Sequence, residues 1–366
     1  MSSDLGKAIH KKRILIAPLD WGLGHATRCI PIIRLFLQAG HEVIIASGGE
    51  QLTLLKNEFP GIQTVFLKGY NISYARSKRW LVLKILLQVP KILLSIRSEH
   101  SWLKKTIDEL NIDIVISDNR FGLYAKQIPS VFITHQLCIQ APYNWLQNFI
   151  QKVNYKFINR FNECWLPDYE SGFNVSGDLA HPKKLPLTPL KYLGILSRFQ
   201  MHEIVEVKYD YLAILSGPEP QRTLLEKKLL SIASQLNGNM LMLRGKPGSN
   251  EKISSPANCT VVNHLSVALM QQAFEQSEYI ISRSGYTTVM EILSMQKKSL
   301  LIPTLGQTEQ EYLARHLTEQ GLCYCCNQDD DLIYHINRIH NYHYRFPVLA
   351  QSTLPQVVND FLIRFL

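Results

Sequence analysis

The chain has 366 residues, too many for one small core, and its ordinary apolar content excludes a disordered or fibrous protein. No uninterrupted apolar run reaches the roughly 18 residues needed to span a bilayer, and "MSSDLGKAIH" lacks the apolar core of a signal peptide, so a cytoplasmic protein is expected. The formal charge is +9, yet no arginine-rich arm, RNP-like motif or zinc finger accompanies it, so nucleic acid is not an expected partner.

In chain order, "RILIAPL" predicts a strand, "ATRCIPIIRLFLQAG" a helix, "HEVIIAS" a strand, "EQLTLLKNEF" a helix and "IQTVFL" a strand. Residues 68–105 then carry nine Lys and Arg against Glu99 alone, interleaved with "RWLVLKILLQVPKILLSI". Such a basic amphipathic segment suits an anionic membrane surface, or equally a core helix whose lysines snorkel into water. A helix near "WLKKTIDEL" and the strands "DIVISD" and "SVFITH" follow. Short Ile/Val-rich runs alternating with helical periods are the pattern of βαβ units on a parallel sheet. The alternation loosens over 177–194, "GDLAHPKKLPLTPLKYLG", which reads as a linker.

The alternation then restarts. "YDYLAILSG" is a strand into a turn, "QRTLLEKKLLSIASQL" a helix, "NMLMLRG" and "CTVVNHL" strands, and "VALMQQAFEQ" a helix. "EYIISRSG", "YTTVMEILSMQ", "SLLIP" and "TEQEYLARHLTEQG" continue as strand, helix, strand and helix. The cysteines of "GLCYCCNQ" lack zinc spacing and read as a buried strand of small apolar residues. "LPQVVNDFLIRFL" is a final amphipathic helix. The expected fold is α/β, with two doubly wound domains and a ligand cleft between the carboxyl ends of their strands. The divisions are 1–176, a linker 177–194, 195–345, and a terminal helix within 346–366 that packs back on either domain.

Two turns carry the chemistry. In "GLGH", Gly22 and Gly24 end the first strand and open a helix, where glycine permits unusual backbone and close ligand approach. The helix amino end offers free N–H groups and partial positive charge, and His25 there can take a proton from a hydroxyl. A tight turn with a capping histidine would look the same. In "SRSGYTTVMEIL", Ser284, Gly285, Thr287 and Thr288 place hydroxyls beside free N–H groups, which suits a diphosphate without a metal. Glu291, about two turns on, can accept both hydroxyls of a ribose. An N-cap and a solvated helix face are the plainer readings. Gln307, Gln310 and Glu311 add polar groups at the next helix start.

"GLGHATRCIPI", "SGPEPQR", "SRSGYTTVMEIL" and "PTLGQTEQEYLARHLTEQGL", in this order, resemble glycosyltransferase family 28 and its relatives. The resemblance covers residues 13–325 and implies a GT-B architecture of two Rossmann-like domains. It implies a metal-independent, inverting transfer with a UDP-sugar as co-substrate, no further cofactor, and a saccharide or lipid-linked acceptor held by the first domain. It assigns Ser216, Gly217 and Arg222 to the diphosphate, the Asn263–His264–Leu265 segment to the uracil edge, and Ser284, Gly285 and Thr288 to the phosphate turn. Glu291 becomes the ribose clamp, Gln310 and Glu311 the holders of the donor sugar's hydroxyls, and His135 and Gln136 acceptor-side residues. The base is His25 or Asp118, although an acid at a strand end such as Asp118 often only caps a helix. "SGPEPQR" departs from the family's glycine-rich second-domain loop. "GLGHATRC" also looks like the loop of a related UDP-sugar hydrolase, so a hydrolase and a non-catalytic nucleotide-sugar-binding protein stay open as alternatives. With the basic segment, the transferase reading places the protein peripherally on the inner face of the membrane.

Overall fold

The computed structural model describes residues 11–70, 78–141, 143–200 and 206–365, with backbone alone over 78–89. Part of the basic segment, residues 71–77, and the decapeptide 1–10 thus lie outside the described residues. The first domain runs β1 (Arg13–Pro18), α1 (Leu23–Gln38), β2 (Glu42–Ser47), α2 (Gly49–Glu58), β3 (Gln63–Phe66), α3 (Lys78–Leu110), β4 (Ile114–Asp118), β5 (Ser130–Ile133), α4 (Asn144–Ile158), β6 (Glu163–Leu166) and β7 (Leu190–Tyr192). Its seven strands are all parallel, in the order β3-β2-β1-β4-β5-β6-β7. Helices cover both faces of such a sheet, which is why β1, β4 and β5 are runs of Ile, Val and Leu rather than alternating polar and apolar.

The second domain follows as β8 (Tyr209–Ile214), α5 (Gln221–Ala233), β9 (Met240–Leu243), β10 (Cys259–Val262), α6 (Val267–Glu275), β11 (Ser277–Ser282), α7 (Tyr286–Ser294), β12 (Lys298–Leu301), α8 (Thr308–Glu319), β13 (Tyr324–Cys325) and α9 (Leu332–Ile339). Its parallel strand order is β10-β9-β8-β11-β12-β13. Strand order reverses between β1 and β4 in one sheet and between β8 and β11 in the other. At these switch points the strand ends leave a crevice for ligand. The "GLGH" turn and Asp118 sit at the first switch point, Pro18 pairing with Asp118 in register. Ser216–Gly217 and Ser284–Gly285 sit at the second.

Two expectations change. Residues 177–194 are not simply a linker, because Leu190–Tyr192 forms β7 and pairs with β6 at the edge of the first sheet. Three prolines and three lysines masked a strand short enough to need one neighbour only. The crossing to the second domain falls instead at 193–208, where Leu193, Ile195, Leu196 and Phe199 join one apolar cluster spanning both sheets. The segment at 144–158, assigned no element from the sequence, is helix α4. The last helix, α10 (Leu354–Phe365), packs on the first domain: Phe361 meets Trp165 edge-on at 5.6 Å, and Arg364 pairs with Glu163 at 2.6 Å.

Candidate active site

The site begins with helix α1. Gly22 caps it at φ 81°, a left-handed conformation that glycine adopts without a Cβ penalty. Gln51 Nε2 donates to the carbonyls of Leu19 and Gly22, both at 2.8 Å, and holds the turn. Gly24 has a different reason to be glycine. A Cβ there would lie 3.2 Å from Thr287 Oγ1 of the other domain, whose hydroxyl donates to the Gly24 carbonyl at 3.0 Å. The amino ends of α1 and α7 thereby face one another across the domain boundary, with His25 between the switch points.

His25 Nδ1 lies 3.0 Å from Asp118 Oδ2, and Asp118 is fully buried. Arg28, one turn along α1, donates Nε to the same carboxylate at 2.9 Å and pairs through Nη2 with its other oxygen. Burial pushes the Asp118 carboxyl up, but Arg28 and then His25 outweigh it and hold it below its ordinary value. Burial first, then the neighbouring Arg28 charge, lowers the His25 pKa from 6.5, so the imidazole is neutral at pH 7. Nδ1 also lies 2.8 Å from Arg28 Nη2, so it faces an acceptor and a donor at once, and the tautomer protonated on Nδ1 toward Asp118 is the one that leaves Nε2 as a free base. His25 and Asp118, read from sequence as rival bases, are thus one hydrogen-bonded pair.

The network continues across the domains. Arg28 Nη1 is 2.9 Å from His135 Nδ1, and His135 Nε2 is 2.8 Å from Glu309 Oε1 on α8. With Arg28 a pure donor, His135 carries its proton on Nε2 toward Glu309. Burial raises the Glu309 carboxyl, and His135 first, with His25 and Arg28, more than reverses it, leaving its pKa lowered. Tyr286, the first residue of α7, stacks on the His135 ring at 4.2 Å and donates its hydroxyl to the Pro167 carbonyl at 2.6 Å. Gln136 lies beside His135 at the rim. Arg28 was legible in principle, three residues from His25 and so on the same helical face; nothing in the sequence marked Glu309.

The second domain offers fewer free groups than its motifs suggest. Ser284 is buried and donates to the Gln310 carbonyl at 2.8 Å, and Thr287 is spent on Gly24. Gly285 at the cap of α7 faces open space, and the half-buried Thr288 hydroxyl has no hydrogen-bond partner among the described residues. Ser216 and Gly217 form a turn with Gly217 at φ 100°, beside the buried, unpartnered hydroxyl of Thr304. Arg222, expected at the diphosphate, turns inward instead. Its Nη1 donates to Glu226 at 2.6 Å and its Nε to Glu219 at 2.7 Å, so its charge is already matched.

Glu226 also holds Arg244, whose Nη1 donates to Asn263 Oδ1 at 2.8 Å. Asn263 therefore pins its own loop, and only the backbone of 263–265 is left to read a base. His264, its pKa lowered first by burial and then by Arg198, is neutral there, with Leu265 half-buried beside it. Glu291 is buried and its Oε1 lies 2.7 Å from Arg198 Nε. Burial outweighs Arg198 and raises its pKa. Arg198 comes from the crossing segment, and sequence gave no sign of it. Gln310 Oε1 accepts the Thr304 N–H at 2.8 Å and Glu311 Oε1 that of Gly306 at 3.2 Å. Both shape the turn before α8 rather than standing free, while Gln307 sits at the N-cap position of that helix without a side-chain capping bond.

Comparison with known proteins bears on the fold. Residues 221–340 match the glycosyltransferase family 28 C-terminal domain. An uncharacterized glycosyltransferase of Methanosarcina mazei is 24% identical over 337 residues, covering 84% of each chain. Among solved structures, MurG of Acinetobacter baumannii superposes with a TM-score of 0.54 at 16% identity, over 97% of this chain and 99% of that one. The spinosyn rhamnosyltransferase SpnG, complexed with thymidine diphosphate, superposes with a TM-score of 0.59 at 13% identity, over 90% of each. Residues 221–340 thus match the glycosyltransferase family 28 C-terminal domain, and the chain as a whole has the GT-B fold of these solved structures and is similar over most of its length to an uncharacterized glycosyltransferase.

Proposed function

We propose that the protein moves a sugar from a UDP-sugar to a saccharide or lipid-linked hydroxyl, with inversion and without a metal or further cofactor. The observation that carries this reading is the convergence of the α1 and α7 amino ends, tied by Thr287 and Gly24, with His25 between them. In the step proposed, the acceptor oxygen attacks the anomeric carbon while its proton passes to His25 Nε2. The bond from that carbon to the β-phosphate oxygen breaks, and its electron pair leaves with the diphosphate. Asp118 fixes the imidazole and offsets the charge it gains. The α7 amino end, with Gly285 and Thr288, and the Ser216–Gly217 turn meet the leaving group. Glu291 meets the ribose by exchanging Arg198 for its hydroxyls. SpnG holds thymidine diphosphate, which supports a nucleoside diphosphate sugar as donor and makes the base a point to test.

The acceptor's setting is proposed as an anionic membrane surface. Among the described residues no helix is long and apolar enough to cross a membrane. Helix α4, however, exposes Trp145 by 70% and Phe149 by 61% beside exposed Lys152 and Lys156. Phe157 of α4 and Ile92 of the basic helix α3 both pack against the cluster of Leu19, Tyr70 and Ile96. Apolar rings ringed by lysines suit a headgroup boundary.

Titration calorimetry with UDP, dTDP, UDP-glucose and UDP-N-acetylglucosamine, on the wild type and Glu291→Gln, tests the donor. Micromolar UDP binding weakened in the variant is expected. Tighter dTDP than UDP would overturn the uridine assignment, and no binding at all would overturn the donor reading. Co-sedimentation with phosphatidylglycerol vesicles, lost in Trp145→Ala/Phe149→Ala, tests the surface; equal sedimentation of both proteins would refute it.

A further inference from the structure

Each arginine near the cleft has a carboxylate of its own, with one exception. Arg28 has Asp118, Arg198 has Glu291, and Arg222 and Arg244 share Glu226, flanked by Glu219 and Glu251. Arg283 is different. It is fully buried, yet its guanidinium donates only to neutral groups. Nη1 reaches the carbonyls of Ile302 at 3.1 Å and Pro303 at 3.2 Å, and Nη2 reaches the carbonyl of Gln221 at 2.7 Å and the amide oxygen of Gln328. Its Nε has no partner. Among the described residues no carboxylate pairs with it. Burial lowers its pKa to about 10, so it is charged at neutral pH.

A buried charge without a counter-ion is costly and is seldom left so without a use. The place of this one is specific. Gln221 opens α5 just after the Ser216–Gly217 turn, Pro303 precedes the Thr304–Gln310 turn, and Arg283 itself leads into Ser284–Gly285. Three loops that surround the proposed donor meet on one guanidinium. We infer that Arg283 supplies the unbalanced positive charge of the donor site, acting through space on the nucleoside diphosphate that those three loops would hold, without touching it. This rests on the donor reading above and assigns to Arg283 the electrostatic part that Arg222, matched by two acids, does not play. The charge is fixed before the ligand arrives, and the leaving diphosphate gains negative charge as the sugar departs. Its attraction therefore grows along the reaction, which is what accelerates a step rather than merely tightening binding.

Gln328 provides the test. Gln328→Glu keeps the shape and the hydrogen bond but gives Arg283 the missing carboxylate. Calorimetry with UDP, dTDP, ADP, GDP and uridine is run on the wild type, Gln328→Glu and Arg283→Lys, each with a melting curve. Gln328→Glu should melt no lower than the wild type yet bind the preferred diphosphate about tenfold more weakly, the scale of one unit charge several ångströms away at intermediate dielectric. Its affinity for the free nucleoside should not move. Arg283→Lys keeps the charge with fewer donors, so it should melt lower while retaining diphosphate affinity within about threefold. A folded Gln328→Glu with unchanged diphosphate affinity would overturn the inference, as would diphosphate and nucleoside weakening together. Should Gln328→Glu not fold, Arg283→Lys against Arg283→Gln decides on the same readout: equal losses mean the charge is irrelevant. Wild type that binds a diphosphate other than UDP overturns the uridine assignment alone; wild type that binds none overturns both readings.

Discussion

The Asp118–Arg28 pair makes the sharpest prediction, because stability and chemistry meet on one buried carboxylate. Asp118 is fully buried and Arg28 is 2% exposed, so neither charge has water to fall back on. In Asp118→Asn the shape survives but the guanidinium loses its counter-ion. With the charges about 4 Å apart and an effective dielectric near 20, the lost attraction is about 4 kcal/mol, in the range of about 3–5 kcal/mol for breaking a buried pair from one side. For a domain of this size each kcal/mol shifts the midpoint by about 2–4 °C, so Asp118→Asn should melt about 10 °C lower. Adding Arg28→Met removes the stranded charge and fills the same volume, and the double variant should recover most of that loss. Calorimetric unfolding of the four proteins at pH 7.5 closes the cycle. A single variant within about 2 °C of wild type, or a double variant as unstable as the two singles summed, would refute the account of this pair.

The remaining predictions follow from the same geometry. His25→Asn should lower turnover of the nucleotide sugar by about 10²–10⁴-fold while its dissociation constant stays within about twofold, read by single-turnover kinetics and calorimetry. The lowered His25 pKa places the loss of activity in acid: the base form persists through neutrality, and the acid limb of kcat/KM should fall below pH 6.5, the ordinary histidine value. A limb above pH 6.5 would mean the imidazole is charged at rest. Gly24→Val should part the domains, since even a Cβ would meet Thr287 Oγ1 at 3.2 Å; small-angle scattering should show a larger radius of gyration, and Thr287→Ala in the same chain should partly restore it.

The fold was legible because parallel sheets announce themselves. β1, β4, β5, β8 and β11 are buried on both faces and so read as short runs of Ile, Val, Leu and Ala, each ending in a glycine or polar turn. β7 failed that test because a three-residue edge strand has one neighbour and half-buried side chains, leaving Pro and Lys free to dominate its surroundings. α4 was hidden for a related reason. Its apolar residues point both ways, Leu146 and Ile158 inward and Trp145 and Phe149 outward, so no one face stands out as the buried one.

The site was legible in its backbone and illegible in its charges. A glycine turn between a strand and a helix fixes where N–H groups point, and both turns found in the sequence lie at switch points facing each other. Which side chains face the ligand depends on where each ionic group finds its partner, and those partners are distant in sequence. Asp118 is 90 residues from Arg28, and His135 is 174 from Glu309. The resemblance assigned Arg222 to the diphosphate, yet Glu226, one turn later, takes its charge. Arg283 stands inside "SRSGYTTVMEIL", yet nothing in that motif marks its guanidinium as buried without an acid. The distinction between them is one of subtraction: a guanidinium whose charge is cancelled locally exerts little field beyond its partner, whereas one held by carbonyls alone keeps its monopole. For a cleft proposed to hold a diphosphate, the arginine expected to act on it is therefore the one without an acid, and no motif records that.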